Sequence, residues 1–109
     1  MKTWQRATDW DVVNGTSLRG HININYATLV EIFGEPERWA AGDKVQAEWV
    51  LVFTDPVSDA TTVATIYDWK QYGVDPERVV DWHIGGHTND AEHCVRIAID
   101  EFFRQRETV

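Results

Sequence analysis

The stretch VQAEWVLVFTDPVSDATTVATIYDW, residues 45–69, carries the clearest secondary-structure pattern in the chain. Its first ten residues alternate between one apolar face and one mixed face, which is the period of a strand. A turn follows at residues 55–59, where Asp55 and Pro56 begin a polar cluster. Residues 61–69 then return as a run rich in β-branched and aromatic side chains, which favours a second strand. The stretch therefore predicts a β-hairpin, and we expect Trp69 to lie in the core.

Two further strands and two helices flank this hairpin. Residues 18–24 alternate as a strand, and residues 79–84 predict another that ends at paired glycines. Asn25 can cap a short helix that Gly34 ends, and the apolar stripe of the C-terminal segment predicts a longer helix. The order is β-α-β-β-β-α.

This order indicates an α+β fold with a largely antiparallel four-stranded sheet and two helices. We expect residues 18–109 to form a single domain. Residues 1–17 show no helical or strand period, so we expect them to be an N-terminal arm that packs through Trp4 and Trp10.

The composition is that of an ordinary folded domain. Of the 109 residues, 43% are hydrophobic and 26% are charged, which excludes disordered and collagen-like classes. Cys94 is the only cysteine, so a disulfide framework is excluded. No apolar run is long enough to cross a membrane, and the N-terminus lacks a signal-peptide pattern. We therefore expect a cytoplasmic protein that does not associate with membranes.

The charge is unusual in amount and in location. The formal net charge is −8, and residues 43–100 hold eleven acidic and four basic residues, which accounts for −7 of it. Nucleic-acid binders need lysine and arginine to displace counterions from phosphates, so direct nucleic-acid binding is disfavoured. The acidity instead indicates a basic partner, or simply a solvated surface.

The segment 81–89 holds the strongest candidate for a small-ligand site. Two glycines before a capped helix could leave backbone N–H groups free for a phosphate, with an aromatic ring alongside for a base. The residues for this alternative are Arg19, Lys70, Trp82, His83, Gly85, Gly86, His87 and Thr88. The competing interpretation is that the glycines make a sharp turn and that Trp82 lies in the core.

The sequence gives weaker support for a metal site or for a catalytic nucleophile. His83, His87 and His93 lie close in sequence, but their spacing spans a strand end, a turn and a helix, unlike compact zinc motifs. Cys94 next to Val95 reads as a small buried residue more readily than as a nucleophile. We expect no metal, no cofactor and no catalytic residues.

Several sequence blocks together resemble a family of small proteins of unassigned function carried by bacteriophages and prophages. The blocks are GTSLRG at 15–20, a helix that ends in FGEP at 33–36, KVQAEW at 44–49, VATIYDWK at 63–70 and WHIGG at 82–86. The resemblance covers about residues 14–100. It implies no catalytic residue, but it makes a phage origin, and hence a role against bacterial defence, the leading expectation.

The leading hypothesis is therefore a phage-encoded, non-enzymatic inhibitor of bacterial immunity, similar in kind to anti-CRISPR proteins. Its acidic surface would bind the basic nucleic-acid-binding site of a host defence complex. The partner-binding residues we expect are Trp39, Asp68, Asp75, Glu77 and Asp81. The alternative is a small-ligand binder that sequesters a nucleotide defence signal, and a homodimer is compatible with either.

Overall fold

A computed structural model describes residues 2–40 and 42–107. Within these residues the chain forms an α+β fold with six strands and two α-helices. The strands are β1 (Thr3–Arg6), β2 (Ser17–Asn23), β3 (Glu37–Arg38), β4 (Ala47–Thr54), β5 (Thr61–Tyr67) and β6 (Asp81–Gly86). The helices are α1 (Tyr26–Phe33) and α2 (Asp90–Glu107), and short 3₁₀ turns occur at Trp10–Val13 and Pro76–Arg78.

All strand pairs are antiparallel, and the spatial order is β1-β4-β5-β6-β2, with β3 also paired to β4. The predicted hairpin is confirmed as β4 and β5. The predicted four-stranded sheet is wrong, because β1 and β3 add two strands along the outer edge of β4. Both are too short to show a period of their own, and only their pairing with β4 makes them strands. One of them, β1, lies within the expected N-terminal arm.

The helix boundaries follow the capping signals. Asn25 accepts the backbone N–H of Thr28 at 2.8 Å, and Gly34 ends α1 with a φ of 88°, a conformation that favours glycine. Thr88 Oγ1 accepts the N–H of Asp90 at 3.3 Å at the start of α2. The two predicted helices are thus confirmed.

Both helices contribute to one core on one face of the sheet. Trp49 and Trp82 are fully buried there, with ring centroids 5.3 Å apart. Each indole N–H donates to a backbone carbonyl: Trp49 to Gly34 at 2.7 Å and Trp82 to Ile24 at 3.0 Å. Trp69 does not join them, because it lies beyond the end of β5 and remains 39% exposed. The prediction of a core role for Trp69 was therefore wrong.

Residues 7–16 cross the opposite face of the sheet on their way from β1 at one edge to β2 at the other. The Ala7 N–H donates to the Val50 carbonyl, and Val12 lies beside Val63. Val50 and Thr65 point to this face and are buried. The crossing segment leaves the end of the sheet near the start of β4 and the end of β5 uncovered, and the functional candidates lie there.

Candidate functional site

Two loop segments at this end of the sheet, residues 39–40 with 42–46 and residues 68–76, are joined by a buried polar cluster. The carboxylate of Asp68 is fully buried, and its Oδ1 accepts the backbone N–H groups of Gln46 at 2.8 Å and Ala47 at 3.0 Å. The Gln46 side-chain amide donates to the Gln71 carbonyl at 2.9 Å and makes longer contacts, at 3.4 Å, with Asp68 Oδ2 and the Val74 carbonyl. These bonds hold the two segments in one fixed arrangement.

The same two segments expose large apolar side chains. Trp39 is 42% exposed, Trp69 39%, Tyr72 52% and Val74 37%. We call these four residues the aromatic surface. Three of the four exposed aromatic side chains among the described residues belong to it. Exposed aromatic groups on a rigid support are typical of binding surfaces, because little conformational entropy is lost when they are covered.

Trp39 lines two grooves. One groove, of about 310 Å³, is lined by Trp39, Gln46 and Asp75 together with Arg38, Val74 and Pro76. The other, also of about 310 Å³, is lined by Trp39, Asp43, Lys44, Val45 and Glu48. Trp10 packs edge-to-face on Trp39 at 5.4 Å and so supports the ring from behind. Trp39 thus has the position of an anchor between two recesses.

The charges divide the aromatic surface into two sides. Near Trp39, Asp43 and Asp75 are exposed, and Glu77 follows in the turn that Asp75 caps through the Glu77 N–H at 3.0 Å. Near Trp69 lie the ammonium groups of Lys44 and Lys70, at 6.0 and 5.6 Å from its ring. The acidic residues Asp43 and Asp75 therefore lie on the Trp39 side, whereas Lys70 and Lys44 approach Trp69, and Lys44 also lines the groove between Trp39 and Glu48.

The structure brings only part of the expected partner-binding set together. Trp39 and Asp75 share a groove, and Glu77 is exposed close by in sequence. Asp81 is exposed on β6, 3.7 Å from His21 Nδ1. Asp68 is fully buried and thus not available to a partner, which corrects the prediction that it lies on the surface. Its acceptor bonds to the backbone are the reason for its burial.

A row of ionisable side chains crosses the uncovered part of the sheet. The strand register places Glu48, Tyr67, His83 and His21 side by side on β4, β5, β6 and β2. The rings of His21 and His83 are 4.4 Å apart, and those of Tyr67 and His83 are 5.5 Å apart. We call these four residues the sheet row.

Burial changes the proton affinity of three members of the sheet row. Partial burial, together with the negative charge of Asp68, raises the pKa of Glu48 to about 7. Burial raises the pKa of Tyr67, and Glu48 adds to this effect. Burial lowers the pKa of His83, the neighbouring His21 lowers it further, and Asp81 acts in the opposite direction. Glu48 is thus a carboxyl group whose raised pKa brings its titration close to neutral pH.

The alternative ligand site does not form around Trp82 and the paired glycines. Trp82 is buried, and Gly85 and Gly86 lie inside the sheet, between β2 and β5. A Cβ on Gly86 would lie 2.3 Å from the Cβ of Ala91, so this glycine lets α2 approach the sheet. The interpretation of these glycines as packing residues therefore accounts for them.

The polar residues of that alternative are also occupied. Arg19 donates to the carbonyls of Gly86 at 3.0 Å and His87 at 2.6 Å. His87 Nε2 lies 2.9 Å from the Val12 carbonyl, and Thr88 caps α2. Lys70 lies over Trp69 rather than at this turn. These contacts occupy Arg19 and Lys70 elsewhere, whereas His87 and Thr88 line a recess of about 410 Å³ together with Val12, Val63 and Asp90.

The histidines do not converge. Among the described residues, no group of three or more histidine, cysteine, aspartate or glutamate side chains is placed to hold a metal ion. His83 belongs to the sheet row, His87 contacts the crossing segment, and His93 lies beside Cys94 in a groove under α2. Cys94 is buried, with its Sγ 3.7 Å from Lys2 Nζ.

The sequence named Trp39 and Asp75 but missed Gln46, Glu48 and Tyr72. One feature of the sequence could have indicated the position of Glu48. Ala64 and Ile66 are a small and a large apolar residue, which suits the face of the sheet on which a helix packs, whereas Val63 and Thr65 alternate with them. Because side chains alternate along a strand, Tyr67 and its cross-strand partner Glu48 then lie on the face of the sheet opposite the helices.

In the described part of the chain, no helix has the length and apolar character needed to span a membrane. Comparison with protein-family models, with curated proteins and with solved structures gives no match to this chain.

Proposed function

We propose that this chain is a non-enzymatic binding protein that uses the Trp39 side of the aromatic surface to cover a basic site on a protein partner. The observation that carries the proposal is the exposure of Trp39, 42% accessible, on segments that Asp68 and Gln46 hold rigidly together. An exposed tryptophan between two grooves is the arrangement expected of a binding anchor.

The electrostatics support a basic partner. Asp43 and Asp75 each line a groove beside Trp39, and Glu77 follows Asp75 in the same turn, in a chain of net charge −8. Complementary charges accelerate the encounter and fix the orientation of the partners, and salt weakens both effects. Asp43 and Asp75 each share a groove with Trp39, whereas the Lys70 ammonium lies over Trp69, so the contact with a basic group is centred on Trp39.

The partner we propose is a nucleic-acid-binding component of bacterial immunity, and the chain would act as its phage-encoded inhibitor. The sequence resemblance to small phage proteins and the acidity of residues 43–100 support this choice. An acidic protein that occupies a nucleic-acid channel would exclude the nucleic acid without needing catalysis.

Affinity capture from a bacterial lysate tests the proposal. The full chain, the Trp39→Ala variant and a Phe103→Ala control are immobilised in parallel, and retained proteins are identified by mass spectrometry. Phe103 is 41% exposed on α2, so the control removes an aromatic group of matched exposure from another element. We expect a basic nucleic-acid-handling protein on the wild type and on Phe103→Ala, released by salt and absent from Trp39→Ala. Retention of the same proteins by all three chains, or self-association alone, would refute the proposal.

A further inference from the structure

The groove between Trp39 and Glu48 combines an aromatic wall with two carboxylates. Trp39, Asp43, Lys44, Val45 and Glu48 line it, and its volume is about 310 Å³. This volume is at the lower end of the range of ligand pockets, so the groove suits one side chain rather than a whole substrate.

The strand pairing fixes this geometry. Glu37 on β3 lies opposite Glu48 on β4, and the Trp39 N–H donates to the Gln46 carbonyl at 2.9 Å, which continues the ladder beyond β3. Residues two apart along a strand share a face, so Glu37, Trp39 and Glu48 lie on the same side. The strand pairing therefore fixes Trp39 and Glu48 relative to each other, and the loop residues Asp43, Lys44 and Val45 complete the groove.

Acidic groups outnumber basic groups around Glu48. Glu37 on β3 lies opposite Glu48 in register, Asp43 in the loop lines the same groove, and the charges of Glu48 and Asp68 interact, as do Glu48 and Tyr67 on β5. The basic neighbour is Lys44, whose ammonium lies 6.0 Å from the centre of the Trp69 ring.

Arg38 is directed elsewhere. It pairs in register with the buried Ala47, and its guanidinium donates to the Tyr26 hydroxyl at 3.3 Å. The groove thus has an excess of negative charge beside an aromatic ring.

We propose that this groove receives an arginine side chain of the partner, with the guanidinium stacked on Trp39 and paired with the carboxylates of Glu48 and Asp43. The inference rests on the proposed function, because it names the group of the partner that the Trp39 side recognises. Arginine fits better than lysine because its planar guanidinium stacks on an aromatic ring and forms forked hydrogen bonds with carboxylates.

Glu48 couples this recognition to a proton. Its pKa of about 7 means that the carboxyl is about half protonated at neutral pH in the free protein. A guanidinium favours the ionised form, so its arrival releases a proton. The ionised fraction rises from about a tenth at pH 6 to about nine tenths at pH 8, so the affinity for a guanidinium should rise about tenfold over this interval.

NMR titration of the full chain with Nα-acetyl-arginine N-methylamide tests the inference, with the neutral citrulline analogue as the matched probe. We expect the arginine probe to shift the Trp39 indole signal and the Glu48 carboxyl signal, about tenfold more tightly at pH 8 than at pH 6. The Glu48→Gln variant should lose this pH dependence. A Glu101→Gln variant, which changes a carboxylate on α2, should retain it.

Equal binding of both probes, absence of any shift at Trp39, or an unchanged pH dependence in Glu48→Gln would overturn the arginine assignment. Thermal unfolding of each variant establishes that it is folded before the titration. If the probe fails while Trp39→Ala still loses a captured partner, only the arginine assignment falls. If the probe binds while capture recovers no partner, the proposed function falls and the groove assignment stands.

Discussion

Replacing Asp68 by alanine removes the acceptor that joins the two loop segments under the aromatic surface. The fully buried carboxylate accepts the backbone N–H groups of Gln46 and Ala47, and alanine leaves both donors without a partner. The Gln46 side chain keeps the Gln71 carbonyl at 2.9 Å, so the loss falls mainly on the two backbone groups.

The expected cost follows from those two donors. A buried donor left unsatisfied costs about 1–3 kcal/mol, so Asp68→Ala should lower the free energy of unfolding by about 2–5 kcal/mol. Asp68→Asn keeps one side-chain oxygen that can accept the two backbone N–H groups, but it places an N–H₂ group near the Gln46 side chain. Its loss of unfolding free energy should therefore be smaller than that of Asp68→Ala.

Urea unfolding at pH 7 measures these differences, and an unchanged slope with urea concentration shows that the transition remains two-state. Asp55→Ala is the matched control, because Asp55 also accepts two backbone N–H groups, at 2.8 and 3.2 Å, but in a solvated turn. We expect a clearly smaller loss there, since water can replace the carboxylate. Equal losses in Asp68→Ala and Asp55→Ala would refute the argument that burial of the Asp68 cluster fixes the loops.

Three further predictions follow from single contacts. Because Glu48 has a pKa raised from about 4.5 to about 7, the folded state binds its proton more tightly, so the wild type should lose stability relative to Glu48→Gln as the pH rises from 5 to 8. The full pKa shift corresponds to about 3 kcal/mol, and partial exposure of Glu48 reduces the expected loss of stability to about 1–2 kcal/mol. Urea unfolding of both proteins at pH 5 and pH 8 measures this loss. A stability difference that does not change with pH would contradict the prediction. Gly86→Ala should lower the free energy of unfolding by about 1–3 kcal/mol, because its Cβ would lie 2.3 Å from the Cβ of Ala91. Gly42→Ala is the control, because a Cβ there would meet nothing within 4 Å, and urea unfolding should show almost no change. Trp39→Ala should weaken binding of the captured partner by about thirtyfold or more in calorimetry, as for a binding hot spot, and an effect no larger than that of Phe103→Ala would contradict its role as the anchor.

The elements that carry their own local signals could be predicted from the sequence. The β4 and β5 strands show alternation and a turn cluster, and α1 is set by Asn25 and Gly34. By contrast, β1 and β3 are four and two residues long and exist only because β4 offers an edge. No local pattern distinguishes such segments from loops.

The candidate site was only partly predictable, because some of its residues show local signals and others depend on contacts with distant parts of the chain. Trp39 lies in a polar connection between elements, and this position made it a candidate for partner binding. The burial of Asp68 depends on its Oδ1 reaching the backbone of Gln46 and Ala47, more than twenty residues earlier in the chain. The place of Glu48 beside Tyr67 depends on the strand register, which the sequence of neither strand specifies alone. Long-range pairing therefore determines the part of the site that the sequence did not predict.

Hydroxyl-radical footprinting of the complex with the captured partner tests the central claim most directly. It compares the solvent access of aromatic side chains in the free and bound chain. We expect strong protection of Trp39, which is 42% exposed when free, and no protection of Phe103, which is 41% exposed on α2. Protection of Phe103 with Trp39 left accessible would contradict the claim that the Trp39 side of the aromatic surface is the binding surface.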